Sequence, residues 1–118
     1  ATIPPFVGFN RLLGIDEAEM LAAVGGTFKL GIQFENWGKL GDSYIHPFGA
    51  YGYEMGGIAF HQIWHRTQEL GDKRPIQAFN LETMAAYFGK FARTQDYARD
   101  DLPPINYAYH LDAGRYAR

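Results

Sequence analysis

Between Thr27 and Glu35 apolar and polar residues alternate without a break, with Phe28, Leu30, Ile32 and Phe34 set against Lys29, Gly31, Gln33 and Glu35. A period of two belongs to an extended strand with one face on a core, because successive side chains leave a strand on opposite sides. The segment from Gly26 to Trp37 is therefore predicted to form a strand whose polar face carries one amine, Lys29, beside a residue without a side chain. Glycine inside a strand weakens it and marks close approach by a ligand or by another backbone, so Gly31 leaves room next to that amine. Taken alone, the segment also fits a solvated lysine on a half-buried strand.

The flanking residues predict a mixture of helices and strands. Asp16 and Glu19 have the spacing of a capping box, Met20, Leu21 and Val24 supply an apolar side, and Gly25-Gly26 ends the segment, which predicts a short helix. The Gly- and Tyr-rich stretch from Gly41 to Gly57 suits strands and turns around an aromatic-lined pocket. Helices are expected from about Ile58 to Leu70, stopped by Gly71 and Pro75, and from about Leu81 to Arg93 with Asn80 as cap. After the acidic turn Asp100-Asp101-Leu102-Pro103-Pro104, residues Ile105 to His110 read as a strand, and Asp112 as the cap of a final helix. Pro4 and Pro5 set a chain reversal at the start.

A chain of 118 residues, 47% hydrophobic and 20% charged, provides one globular core. No apolar run approaches the ~18 residues of a membrane span, and no signal-peptide pattern is present, so a cytoplasmic protein is expected. The absence of cysteine excludes disulfides, thiolate catalysis and Cys-based metal sites. Eleven basic residues against thirteen acidic ones, spread along the chain, leave no electrostatic footprint for nucleic acid. His61 and His65 have the spacing of a helical metal pair, yet Gln62 stands where H-E-x-x-H has its Glu and no third ligand is indicated, so no metal site is expected. Glu54, Asp100 and Asp101 read as solvated, and Asp112 as a helix cap rather than an acid catalyst.

Several short motifs stand in a recognisable order. They are Ala1-Thr2-Ile3-Pro4-Pro5, Phe9-Asn10-Arg11-Leu12-Leu13-Gly14-Ile15, Gly26-Thr27-Phe28-Lys29-Leu30-Gly31-Ile32, Asn36-Trp37-Gly38 and Tyr44-Ile45-His46-Pro47-Phe48-Gly49. With a looser continuation through Trp64-His65-Arg66 to Tyr107-Ala108-Tyr109-His110-Leu111-Asp112-Ala113, the chain resembles the flavin-dependent tryptophan halogenases over essentially its whole length. That resemblance implies an α/β fold, a mixed α+β piece of an FAD-dependent monooxygenase-like architecture. In the family a dinucleotide fingerprint precedes the matching segment and a W-x-W-x-I-P motif follows it. Neither is in this sequence, where Gly25-Gly26 and Gly56-Gly57 form no G-x-G-x-x-G turn. Residues 1–118 are thus expected to be a single internal fragment of a halogenase, inactive alone and carrying apolar surface that the rest of the enzyme covers.

The chemistry implied by the resemblance uses FADH2, dioxygen and chloride or bromide. A flavin hydroperoxide is attacked by halide, and hypohalous acid reaches a second site where a lysine meets it. Lys29 matches that lysine. An ammonium there would polarise the halogen by hydrogen bonding, and a neutral amine would form a haloamine; either one places an electrophile by orientation. His46 and Phe48 resemble the His and Phe of one wall of the indole pocket, with Pro47 between them where an apolar residue is more usual. Ala1 matches a position where backbone lies near the flavin. The expected partners are a separate flavin reductase and a small aromatic substrate, and the family allows a homodimer. Two further readings stay open, a flavin-dependent aromatic hydroxylase in which Lys29 is incidental and a non-catalytic piece that binds an aromatic ligand.

Overall fold

The computed structural model describes residues 1–93 and 103–118, so the acidic turn read at Asp100 to Leu102, and with it the solvated Asp100 and Asp101, lies outside the described residues. Helices and strands are mixed along the chain, two helices preceding three strands, and the mixed α/β class expected from the sequence is what forms. The first element differs from expectation. In place of a simple reversal, Pro4 and Pro5 open helix α1 (Pro5–Leu12). A proline at the first helical position sacrifices an N–H that has no helical partner anyway and arrives with its φ already set. Gly14, at φ 71°, then turns the chain away.

Helix α2 (Glu17–Val24) follows as predicted, with the Asp16 carboxylate accepting from the Glu19 N–H at 2.9 Å and Gly25 closing the helix in the left-handed region. Its buried residues Met20 and Val24 pack with Leu30, Ile105, Tyr107 and Tyr109 as the core. Glu17, in the first turn, accepts from the hydroxyls of Tyr107 at 2.7 Å and Tyr109 at 2.5 Å and pairs with Arg93 at 2.8 Å. One carboxylate thereby satisfies two phenols whose rings are buried.

The predicted single strand is two. Strand β1 (Thr27–Lys29) pairs antiparallel with β4 (Ala108–His110), whereas β2 (Gly31–Glu35) pairs antiparallel with β3 (Ser43–Pro47). Leu30 is the crossover, with a buried side chain in the core and a carbonyl that accepts from the Phe48 N–H at 3.0 Å. The alternation survives the break, yet its halves serve different layers. Phe28 stacks on Phe91 with ring centroids 3.7 Å apart, and Phe34 stacks on Tyr44 at 5.3 Å in the hairpin. Gly31 resolves the choice its position left open. A methyl group there would stand 2.5 Å from the His46 carbonyl oxygen and 3.0 Å from Pro47 Cα, so the close neighbour is the backbone of β3.

Helix α3 (Phe60–Glu69) and a 3-10 turn (Ile76–Phe79) lead into α4 (Leu81–Tyr87). Asn80 caps α4 as expected, its Oδ1 accepting from the Thr83 N–H at 2.7 Å while its Nδ2 donates to the Ala50 carbonyl. The helix stops short of the predicted Arg93 because Gly89 adopts φ 59°, which frees Phe91 to reach Phe28. Strand β4 is also shorter than the predicted run from Ile105. Thr27, Phe28 and Lys29 offer only three partners, although Ile105 and Tyr107 are buried ahead of it. Asp112 caps α5 (Ala113–Tyr116) by accepting from the N–H groups of Gly114 and Arg115. No helix among the described residues is long and apolar enough to cross a membrane.

Candidate active site

Thr2 is sewn to the free edge of β4. Its N–H donates to the Tyr109 carbonyl at 2.9 Å and its hydroxyl oxygen accepts from the Tyr109 N–H at 2.8 Å. The first residues thus lie beside the β1–β4 ribbon and cover Lys29, which faces buried Ala108 across the ladder. Lys29 is 9% exposed, so the sheet does not present it to bulk water as alternation alone suggests. Its Nζ donates to the Thr2 carbonyl at 3.0 Å and stands 5.3 Å from the centroid of the Phe48 ring. A buried ammonium needs such partners, because an unpaired charge in a low-dielectric setting is costly.

Beside this amine is a cavity of about 760 Å³, large enough for an aromatic molecule of two fused rings. Phe28, Leu30, Ile45 and Phe91 give it apolar walls, and Lys29, Lys90, Gln33 and His110 bring polar atoms. No carboxylate is among the described residues that line it. Burial, and then the charge of Lys29, hold the His110 imidazole below its ordinary pKa. Such a site can position an electron-rich ring against a fixed amine without placing a negative charge beside either.

Of the residues singled out from sequence, Lys29 and Ala1 line this cavity, and Phe48 touches Lys29. His46 does not line it. The strand alternation of β3 sends Ile45 into the cavity wall, while His46, paired with Ile32, is exposed. His46 and Phe48 have the same parity, but Phe48 lies past the end of β3, where its N–H is taken by Leu30. His110 and Lys90 are not singled out by the sequence. The alternation over Tyr107, Ala108, Tyr109 and His110 marks a strand without naming its partner, and Lys90 falls in the predicted extension of a helix that ends earlier. His61 and His65 are exposed on α3, and among the described residues no group of three or more His, Asp or Glu could hold a metal.

The glycine pairs do not form a phosphate cradle. Gly25 caps α2, and Gly56-Gly57 makes the turn inside the Met55–Ile58 bridge. The phosphates of a dinucleotide therefore do not fit these glycines, and Ala1, exposed at the cavity rim, is the position that the resemblance gives to a flavin.

The tryptophan halogenase family matches residues 1–118. Among curated proteins, the 7-chloro-L-tryptophan 6-halogenase KtzR of Kutzneria sp. (strain 744) is 38% identical over 48 residues, 41% of this chain and 9% of its own. Among solved structures, Xcc4156, a flavin-dependent halogenase from Xanthomonas campestris, superposes with a TM-score of 0.86 at 44% identity over 99% of this chain. BrvH, a flavin-dependent halogenase from Brevundimonas sp. BAL3, gives 0.84 at 37% identity, also over 99% of the chain. The chain spans 22% of the length of Xcc4156 and 24% of that of BrvH. A match over every residue, with the same fold at these identities, means that the chain belongs to the tryptophan halogenase family.

Proposed function

We propose that the protein carrying this chain halogenates tryptophan or a related indole, with Lys29 as the residue that meets hypohalous acid. The observation that carries the reading is a buried lysine held by the Thr2 carbonyl and the Phe48 ring at the wall of an aromatic-lined cavity. Amines that must only be solvated are not stationed in this way. Residues 1–118 are read as an internal piece of the enzyme, with the dinucleotide held by polypeptide that this chain does not contribute. Dioxygen, activated by reduced flavin that a separate reductase delivers, would supply the oxidising power that turns chloride or bromide into hypohalous acid.

The work of this chain is positional. Phe28 and Phe91, stacked on each other, present an apolar wall of the kind that holds an indole without competing hydrogen bonds. Lys29 directs the electrophile, and its two holds confine the Nζ to a small volume, which is how orientation lowers a barrier. The name of KtzR supports tryptophan as substrate. Within the wall that the resemblance assigns to the substrate, Phe48 takes the contact near Lys29 and His46 faces outward from β3.

Lys29→Ala in the full-length protein, assayed with a flavin reductase, halide and indole or tryptophan, tests the reading. Halogenated product is expected to fall about a thousandfold, the equivalent of ~4 kcal/mol, while oxidation of reduced flavin continues. Retention of product in that variant would overturn the role of Lys29, and hydroxylated product from the unsubstituted protein would favour the monooxygenase reading.

A further inference from the structure

We propose that Thr2 is a positioning residue for halogen transfer: its hydroxyl stands in for its own backbone carbonyl on strand β4 and so frees that carbonyl to hold Lys29 Nζ. The assignment rests on the function proposed above. Antiparallel neighbours that exchange hydrogen bonds do so as a pair, each giving its N–H and its C=O to the other. Tyr109 turns both backbone groups to the free edge of β4, and Thr2 completes only half of that exchange with its own backbone. The Thr2 N–H donates to the Tyr109 carbonyl at 2.9 Å, as in a ladder. The Tyr109 N–H, however, donates to the Thr2 hydroxyl oxygen at 2.8 Å, in the place where a backbone carbonyl would stand. That hydroxyl donates in turn to the Tyr109 carbonyl at 3.1 Å, so it serves as acceptor and donor at once.

The carbonyl left out of this pairing is the one that accepts from Lys29 Nζ at 3.0 Å. Its neighbours are already committed. The Ile3 carbonyl accepts from the Phe6 N–H and the Pro4 carbonyl from the Val7 N–H, both at 3.0 Å, as α1 opens. Residue 2 is therefore the last position before α1 whose carbonyl the helix does not take, and β4 does not take it because the side chain pairs instead. The Phe6 ring, edge-on to Tyr109, holds the far end of the segment against the same strand residue. Tyr109 is 1% exposed, so its N–H would be costly to leave without an acceptor. Without the hydroxyl, the smallest repair is a rotation of the peptide plane after residue 2, which brings its carbonyl to Tyr109 and withdraws it from Lys29. The amine then keeps the Phe48 ring 5.3 Å away and loses its hydrogen bond to residue 2, the more directional of its two holds.

The test uses the full-length protein with reductase, flavin, halide and indole, and an excess of a 1,3-diketone to trap hypohalous acid that escapes. It compares Thr2→Val, which keeps the shape and lacks the hydroxyl, with Thr2→Ser, which keeps the hydroxyl. Halogenated indole per flavin oxidised is expected to fall about tenfold in Thr2→Val, as loss of one hydrogen bond to a charged group implies, and to stay within about twofold in Thr2→Ser. The trap should gain in Thr2→Val what the indole loses. Crystal structures of the two variants without flavin read the cause: the residue 2 carbonyl is expected on the Tyr109 N–H in Thr2→Val and on Lys29 Nζ in Thr2→Ser. An unchanged product ratio in Thr2→Val, an equal loss in Thr2→Ser, or a Thr2→Val structure that keeps the carbonyl on Lys29 overturns the assignment. So does failure of both Thr2→Val and Thr2→Ala to fold, which would make the hydroxyl structural. If the unsubstituted protein yields no halogenated product, the proposed function itself fails; if it halogenates and only the Thr2 signatures are missing, this assignment alone fails.

Discussion

Phe48 holds its ring 5.3 Å from the Nζ of Lys29 while that nitrogen donates at 3.0 Å to the Thr2 carbonyl. The two partners come from opposite sides of the sequence, one from the extreme N-terminal segment and one from the turn after β3. Together they fix the end of a four-carbon stem that would otherwise sweep through many rotamers. Under the proposed function, an electrophile delivered by this amine would arrive at a defined point.

Replacing Phe48 by Leu keeps an apolar side chain and removes the aromatic face. If the ring stabilises the positioned ammonium by ~1 kcal/mol, product formation should fall about fivefold at unchanged flavin oxidation. Parallel measurement of halogenated indole and of reduced flavin consumed decides it. Equal rates for the variant and the unsubstituted enzyme would show that Thr2 alone positions the lysine.

Two glycines should respond with opposite signs to the same substitution. A Cβ on Gly31 would press on the β3 backbone at His46 and Pro47, so Gly31→Ala is expected to cost about 1–3 kcal/mol. Gly8 sits in α1 with open space where a methyl group would stand, so Gly8→Ala should stabilise by roughly 0.5–1 kcal/mol. Urea denaturation of the full-length protein measures both. A neutral Gly31→Ala would mean that the two backbones can separate freely.

The Glu17 carboxylate predicts an alkaline transition. Burial first, and the bond to Glu17 second, push the Tyr107 hydroxyl up to about 12, and the same causes raise Tyr109 further. Each phenol thus ionises in the unfolded chain at a lower pH than in the folded one. Their contribution is fully present below the ordinary tyrosine value of about 10 and is lost as pH climbs through the folded values. Tyr107→Phe together with Tyr109→Phe should flatten the fall of stability above about pH 10, as measured by denaturation across that range. Glu17→Ala, which strands two buried hydroxyls, is expected to destabilise by about 2–4 kcal/mol at neutral pH. A titration in which all tyrosines ionise together near 10 would contradict this account.

Some elements are legible in the sequence because their causes are local. Asp16, Asn80 and Asp112 each cap the helix that follows by bonding an N–H two or three residues on, a contact encoded in spacing alone. The apolar alternation from Phe28 to Phe34 likewise marks extended chain correctly. Lys29, the residue that the sequence singles out for chemistry, lines the 760 Å³ cavity together with Ala1. Parity groups His46 with Phe48, and parity fails once Phe48 leaves the strand.

By itself, then, the sequence determined the starts of the capped helices α2, α4 and α5, strand periodicity and membership of a halogenase family, all of which depend on neighbours within a few positions or on ordered motifs. Tertiary structure alone decided that one alternating run divides at Leu30 between two sheets, that Thr2 buries Lys29, and that His110 shares its cavity. The physical reason is that a strand's period fixes which side a residue faces, while its partner strand and the segment covering it fix whether that side meets water, a ring or another reactive group.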